Sequence, residues 1–357
     1  MRILHTSDIH IDSPLTAKLP SDKVRERRAE LRSGFRRLIS EAKAHSAEAI
    51  IIAGDLFDEG KISPRTLRGA LDAISEAKEI TFCYLPGNHE GDALASSGAE
   101  LPENLKIFGN EWTYFEAEDV CFAGRCETEE NMFEALSLPE GKSHIVVLHG
   151  ELREGRSASG VIGIRDAAER GIDYLALGHY HSYSETKIDE RCSAVYSGTP
   201  EGRGFDETGE KGYVILDTEG KDVTFKFVPF AKRRLHIAEL DITGATSTAE
   251  IENRAETVLC SVPSSDLVRL ELIGGYPPEL WRDTDGLLRK FSGRFYYFEL
   301  KDSSRPIINP DSYKNDKSLK GEFIRTVMAD ESLSDEEKAR IISCGINALM
   351  GEELFGN

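Results

Sequence analysis

The 357-residue chain has no run of about 18 or more apolar residues, so nothing in it reads as a membrane-spanning helix. Its first residues pass straight into an apolar, strand-like segment, without the charged leader, apolar stretch and cleavage site of a secretory signal. The expectation is a soluble, cytoplasmic protein with no membrane association. Its six cysteines (Cys83, Cys121, Cys126, Cys192, Cys260 and Cys344) form no CxxC pair and no regular framework, which excludes zinc-finger logic and a disulfide scaffold and leaves reduced thiols. Internal repeats and low-complexity segments are also missing. Positive charge is scarce: 44 Lys and Arg stand against 63 Asp and Glu, a net charge of -19. A uniformly acidic surface repels a polyanion, so any contact with nucleic acid must come from local charge. One local excess exists. Seven basic residues face two acidic ones over residues 23–37, with Arg25, Arg28, Arg32 and Arg36 on one helical stripe beside an apolar face of Leu31, Phe35, Leu38 and Ala42. That stripe reads either as a solvated helix face or as a phosphate or partner contact.

Over the first half, short apolar runs at residues 2–7, 49–53, 80–85, 144–148 and 173–177 read as strands, and residues 23–43 and 64–78 as helices. From 183 to 230 the pattern changes to short alternating segments divided by glycine-rich turns, which suggests an antiparallel meander. Sheets from the two halves, packed face to face and flanked by helices, would make a four-layer αββα sandwich of the α/β class. A Pro and basic cluster at 229–234 marks a boundary. Beyond it a strand, helix, strand, helix, strand pattern runs to residue 300, followed by two amphipathic segments near the end. The expected organisation is a main domain at 1–230, a smaller α+β capping domain at 231–302 and a tail at 303–357 whose helices dock on the body or on a partner.

Five short motifs carry the chemistry, each just past an apolar strand: Asp8-Ile9-His10, Gly54-Asp55, Gly87-Asn88-His89-Glu90, His149-Gly150 and Gly178-His179-Tyr180-His181. Carboxyl ends of strands are where sites assemble in α/β sheets. An i, i+2 pair on extended backbone puts both side chains on one face, so Asp8 with His10, and His179 with His181, can each reach one ion. The candidate ligands are Asp8, His10, Asp55, Asn88, His149, His179 and His181. Seven donors are too many for a single site that keeps an open position, so two metals are expected. The mixture of carboxylate, amide and imidazole suits manganese, iron or zinc better than an all-oxygen magnesium cage. His5 reads as a packing or hydrogen-bonding residue, and His45, His144 and His236 lack motif context.

The ordered set, with Asp58 after Asp55, resembles the calcineurin-like metallophosphoesterase superfamily over residues 1 to 230. His5-Thr-Ser-Asp-Ile-His10, Ile52-Ala-Gly-Asp-Leu-Phe-Asp58, Leu85-Pro-Gly-Asn-His89 and Tyr196-Ser-Gly-Thr-Pro200, followed by Lys211-Gly-Tyr213, are similar to the SbcD nuclease family and its YhaO-like branch. That resemblance implies exonuclease and endonuclease action on DNA ends in double-strand break repair. It implies two divalent ions, manganese first with iron, zinc, cobalt or nickel as alternatives, an SbcC-type ATPase partner and a homodimer. It assigns Asp8, His10 and His181 to one ion, Asn88, His149 and His179 to the other, and Asp55 to both. His89 becomes the catalytic histidine that assists the leaving group while a metal-bridging hydroxide attacks. Glu90 departs from the family, which often has Asp there. For DNA approach the candidates are Arg25, Arg28, Arg32, Arg153 and Arg156, with the 232–234 cluster. Two other functions share these features: a small-substrate nucleotide phosphodiesterase or phosphatase, and a non-catalytic scaffold for an ATPase.

Overall fold

A computed structural model of the protein describes residues 1–58, 62–87, 98–220, 222–277, 280–307 and 313–350. The chain divides into two compact units, Met1–Leu235 and His236–Asn357.

The first unit holds two six-stranded sheets. One is built from β1 (Arg2–Thr6), β2 (Ala49–Ala53), β3 (Thr81–Leu85), β4 (Leu105–Ile107), β13 (Gly212–Glu219) and β14 (Asp222–Pro229), in the order β14-β13-β1-β2-β3-β4. The other contains β5 (Thr113–Ala117), β6 (Val120–Gly124), β7 (Ser143–His149), β10 (Tyr174–Gly178), β11 (Ser184–Lys187) and β12 (Ser193–Tyr196), in the order β11-β12-β10-β7-β6-β5. Between β7 and β10, the short strands β8 (Glu151–Arg153) and β9 (Val161–Gly163) pair with each other. Strands β2, β7 and β10 are buried at every residue, as expected for parallel strands covered on both faces, which read as unbroken apolar runs.

Alternation along the strands builds the layers. Ile3, Ala49, Ile51, Ala53, Cys83 and Leu85 face the second sheet and meet Phe122, Ile145, Val147, Tyr174, Ala176 and Val195. Leu4, Ile50, Ile52, Phe82 and Tyr84 point the other way, against Phe35, Leu38, Ile39 and Ala42 of α1 (Ser21–Ala44) and Ala70, Leu71 and Ile74 of α2 (Pro64–Ser75). Each such large side chain contributes about 1.5–3 kcal/mol by leaving water. The outer face of the second sheet is covered by Met132 and Phe133 of a single 3-10 turn, by Ala167 of the four-residue α3 (Ile164–Ala167) and by Ile162 and Ile172. The αββα order holds, with a thin fourth layer.

Two sequence expectations change. The sheets do not divide between the halves of the chain, because β13 and β14 from the later half complete the first sheet. The segment from 183 to 230 is therefore not one meander: β11 and β12 join the second sheet, where β12 runs parallel to β10, and β13 with β14 forms a hairpin antiparallel to β1.

The second unit has its own core. Strands β15 (Leu235–Asp241), β16 (Leu267–Ile273) and β18 (Tyr297–Asp302) form a sheet, β17 (Gly275–Tyr276) pairs with β19 (Arg305–Pro306), and α4 (Thr248–Leu259) and α5 (Thr284–Ser292) supply Ile251, Ala255, Leu259, Leu287 and Phe291. Helices α6 (Leu319–Met328) and α7 (Asp335–Met350) bury Ile324 and Val327 against Ile342 and Ile346. Among the described residues, no helix is long and apolar enough to cross a membrane.

Candidate metal centre

The chain after β1 runs beside the chain after β2: the amides of Asp8, His10 and Ile11 donate to the carbonyls of Gly54, Asp55 and Leu56 at 3.0, 3.0 and 2.9 Å. Side chains from both loops thus leave the sheet at the same end. The extended backbone expected at Asp8 and His10 is absent. Asp8, His10 and Asp55 have φ of 50, 47 and 50°, and His179 has 113°. Non-glycine residues in this region are uncommon, and such strain gathers at functional sites where surrounding structure enforces it. Here left-handed turns, rather than strand alternation, aim the side chains at one another.

The two sheets approach closely at this end. A Cβ on Gly178 would lie 1.8 Å from the Ala53 carbonyl oxygen, and one on Gly54, whose φ is +94°, would lie 2.0 Å from His149 Nδ1. Glycine at both positions lets cross-sheet contacts form. His149 Nδ1 donates to the Ala53 carbonyl at 3.0 Å, and the His179 amide reaches both Asp8 carboxylate oxygens at 3.2 and 3.1 Å.

Those hydrogen bonds decide the tautomers. A carbonyl only accepts, so in neutral His149 the proton sits on Nδ1 and the bare Nε2 faces Asp55 Oδ2 at 3.6 Å. This Nε2 is buried with no hydrogen-bond partner among the described residues. His181 Nδ1 donates to Glu207 Oε1 at 2.7 Å, which turns Nε2 toward Asp8 Oδ1 at 3.6 Å and His10 Nε2 at 3.4 Å. His10 Nδ1 faces Asp58 Oδ1 at 3.3 Å, and its Nε2 is 3.8 Å from Asp55 Oδ2. Imidazole nitrogens and carboxylate oxygens from the two sheets therefore converge. Asp8 is 0 % exposed and Asp55 2 %, and carboxylates buried this deeply cost several kcal/mol each unless a counter-charge compensates them.

Two overlapping groups result, Asp8 with His10 and His181, and Asp8 with Asp55 and His149; within each, the potential ligand atoms lie within 4.8 Å of one another. The donors fit divalent cations: bare imidazole nitrogens and carboxylate oxygens, with the far nitrogens fixed by carbonyl or carboxylate acceptors. Burial favours the neutral His181 ring, yet its bond to Glu207 and the field of Asp8 raise its proton affinity above the ordinary histidine value, so that a proton on Nε2 would stand where a cation belongs. His179 is pushed the opposite way, by burial first and then by His149.

Of the ligands expected from the sequence, Asp8, His10, Asp55, His149 and His181 come together. His179 stands beside them, its ring centroid 5.5 Å from that of His149, but belongs to neither group. Asn88, His89 and Glu90 lie outside the described residues; Gly87, just before them, packs hard against Asp55, where a Cβ would be 1.9 Å from Oδ1. His5 stays a structural residue, bonded to the Tyr174 hydroxyl at 2.9 Å and held down to about 3 by burial.

Two of the supporting residues, Glu207 and Arg203, escape the sequence reading, whereas Lys211 stands in the Lys211-Gly-Tyr213 motif. Glu207 orients His181, Arg203 bridges Glu207 at 2.6 Å and Ser13 Oγ at 3.0 Å, and Lys211 donates to the His181 carbonyl at 2.6 Å. The only sequence signal is Arg203 and Glu207 four apart, close after the Gly-Thr-Pro turn. Among the basic residues, Arg25, Arg28, Arg32, Arg153 and Arg156 are exposed, Arg153 pairing with Glu151 at 2.5 Å. Lys232, Arg233 and Arg234 instead pair with Glu30, Glu26 and Glu210. Ion pairs with these carboxylates engage that cluster, although the Lys232 and Arg234 side chains stay half-exposed.

The chain resembles known proteins. YhaO of Bacillus subtilis (strain 168), an uncharacterized metallophosphoesterase, is 26% identical over 314 residues, covering 82% of this chain and 76% of that protein. The DNA double-strand break repair protein Mre11 of Methanosarcina acetivorans is 26% identical over 257 residues, 68% of this chain but 41% of its own length. The SbcD component of the nuclease SbcCD of Escherichia coli (strain K12) is 33% identical over 104 residues, 28% of this chain and 24% of that protein. The calcineurin-like phosphoesterase model matches residues 1–183, more than half of the chain, and the protein therefore belongs to the calcineurin-like phosphoesterase family.

Proposed function

We propose that the chain is a two-metal phosphodiesterase that cleaves DNA at its ends, a nuclease of double-strand break repair. The observation that carries the reading is the pair of overlapping carboxylate and imidazole groups, with Asp55 Oδ2 3.8 Å from His10 Nε2 and 3.6 Å from His149 Nε2; the repair and nuclease functions named for Mre11 and for the SbcD component of SbcCD support DNA as the substrate. We assign Asp8, His10 and His181 to one divalent ion, Asn88, His149 and His179 to the other, and Asp55 to the space between, with manganese as the first metal to try. Bound there, the ions supply Lewis acidity and neutralise charge on a phosphodiester. The chain's own residues do the rest. Glu207 and the Ala53 carbonyl hold His181 and His149 with Nε2 forward, and the His179 amide fixes the Asp8 carboxylate. The close approach of the two sheets at Gly54 and Gly178 brings these groups together. His89 is assigned the proton or hydrogen bond to the leaving oxygen, a role worth about 10²- to 10⁴-fold. An SbcC-type ATPase and a second copy of this chain are the proposed partners, with the second unit as a capping domain and its last two helices as the ATPase contact.

The test is cleavage of end-labelled linear duplex by purified protein with manganese, beside a small chromogenic phosphodiester and an Asn88→Ala plus His89→Ala control. Release of nucleotides from the ends, lost in the control, is the expected result. Turnover of the small diester with DNA untouched, with or without an SbcC-type ATPase, would move the assignment to a small-substrate phosphodiesterase.

A further inference from the structure

Away from the ligands, a groove runs between α1 and the N-terminal end of α2. One recess of about 390 Å³ is lined by Asp12, Arg32, Phe35, Arg36, Arg65 and Thr66, within the size range of small-molecule sites. A second, sharing Ile11, Asp12, Arg32 and Ser63 with the first, adds Arg28 and Asp58. Asp58 is the residue that faces His10, so the groove begins at the edge of the metal centre.

Its charge is unusual for a chain of net charge -19. Arg32 pairs with Asp12 at 3.5 Å and Arg36 with Glu76 at 2.6 Å, whereas Arg28 and Arg65 have no ion-pair or hydrogen-bond partner among the described residues. Arg28, Arg32 and Arg36 follow at four-residue spacing on one exposed helix face. Like charges so placed destabilise a helix by about 0.2–0.5 kcal/mol per pair. The fold thus gathers four guanidinium groups around recesses that Asp12 and Asp58 also line, and two of the four, Arg28 and Arg65, are without an ion pair among the described residues. Guanidinium groups in this setting suit phosphate oxygens, and the amino end of α2 adds its partial positive charge.

We propose that this groove holds a backbone phosphate of the substrate strand beyond the one being cleaved, with Arg28 and Arg65 as its clamps and Arg32 freed from Asp12 to join them. The proposal rests on the nuclease reading and deepens it: the enzyme reads a strand of several phosphates rather than a single diester.

The experiment compares the full-length protein with an Arg28→Ala plus Arg65→Ala variant, with manganese, on a short single-stranded oligonucleotide and on a chromogenic nucleoside ester carrying one phosphodiester. The variant is expected to lose about ten-fold in kcat/KM on the oligonucleotide and to keep its rate on the single ester. The salt dependence of oligonucleotide binding should become shallower by a slope of about 0.7 for each phosphate no longer held. Equal losses on both substrates, or an unchanged oligonucleotide rate and slope, would overturn the proposal and leave the nuclease reading standing. Hydrolysis of the ester but of no oligonucleotide by the wild type would remove both. If inorganic phosphate altered ester turnover in the wild type and not in the variant, the groove would serve free phosphate, and the strand assignment would fall.

Discussion

His181 shows how a single side chain is prepared before any ligand arrives. Glu207, 4 % exposed, accepts from its Nδ1, and Arg203 holds Glu207 from behind. Partners of this kind raise ligand basicity and fix ring orientation, and their loss typically lowers metal affinity by about 10- to 100-fold. Glu207→Gln is therefore expected to weaken manganese binding on that scale in calorimetry while the far-ultraviolet circular dichroism in chelator stays that of the wild type. An unchanged affinity would show that Glu207 only supports the loop. The five residues that come together, Asp8, His10, Asp55, His149 and His181, were legible because aspartate and histidine recur at short spacings after apolar strands. Glu207 was not: it lies 26 positions beyond His181 in a polar loop, and its one local mark, Arg203 four residues earlier, does not point to a histidine. The left-handed turns at Asp8, His10 and Asp55 were hidden for a different reason: Asp and His are enriched at positive φ among non-glycine residues, but only a small fraction of them adopt it.

Among the elements, α1 carries two kinds of charge on two faces. Arg27 is 1 % exposed and donates to Glu30 at 2.9 Å, Glu201 at 2.8 Å and the Gly202 carbonyl at 2.9 Å, while Glu30 also receives Arg233 and Lys232. The helix is thereby bonded to the loop after β12 and to the segment before β15. Burial opposes the Glu30 charge, but hydrogen bonds from Arg233, Lys232 and Arg27 outweigh it and hold the carboxyl at about 2, below its ordinary 4.5. A depressed carboxyl contributes stability above the unfolded value and loses it as pH falls. The stability difference between wild type and Glu30→Gln should thus be full above about pH 4.5 and shrink toward pH 2 in denaturant unfolding; a constant difference would contradict this. Removing the other partner should be harsher. Arg27→Ala takes the most buried partner from both Glu30 and Glu201 and leaves them Arg233 with Lys232 and Arg37, at an expected cost of up to about 3 kcal/mol in the same measurement. Most strands and helices of the first unit were legible from hydrophobic period. Sheet membership was not, because β13 and β14 alternate in the same way whichever sheet they join, and β13 pairs with β1 from the far end of the unit, as in Arg2 with Asp217.

At the scale of the molecule, the chain has two units with separate cores, and the metal centre is built within the first. The apolar layers owe nothing to metal, so chelation should abolish hydrolysis while leaving the far-ultraviolet circular dichroism unchanged. Ions that bind only the folded chain still stabilise it, by about 2.7 kcal/mol at a hundred-fold excess over Kd, and the melting temperature should rise on adding manganese; a loss of secondary structure on chelation would mean that the ions build the fold. The most direct measurement is the number of manganese ions bound per chain, read with hydrolysis for wild type and Asp55→Ala. Two ions and activity in the wild type, with fewer ions and lost activity in the variant, are the predicted result. Asp55→Ala protein that kept two ions and full activity would contradict a binuclear centre organised around Asp55.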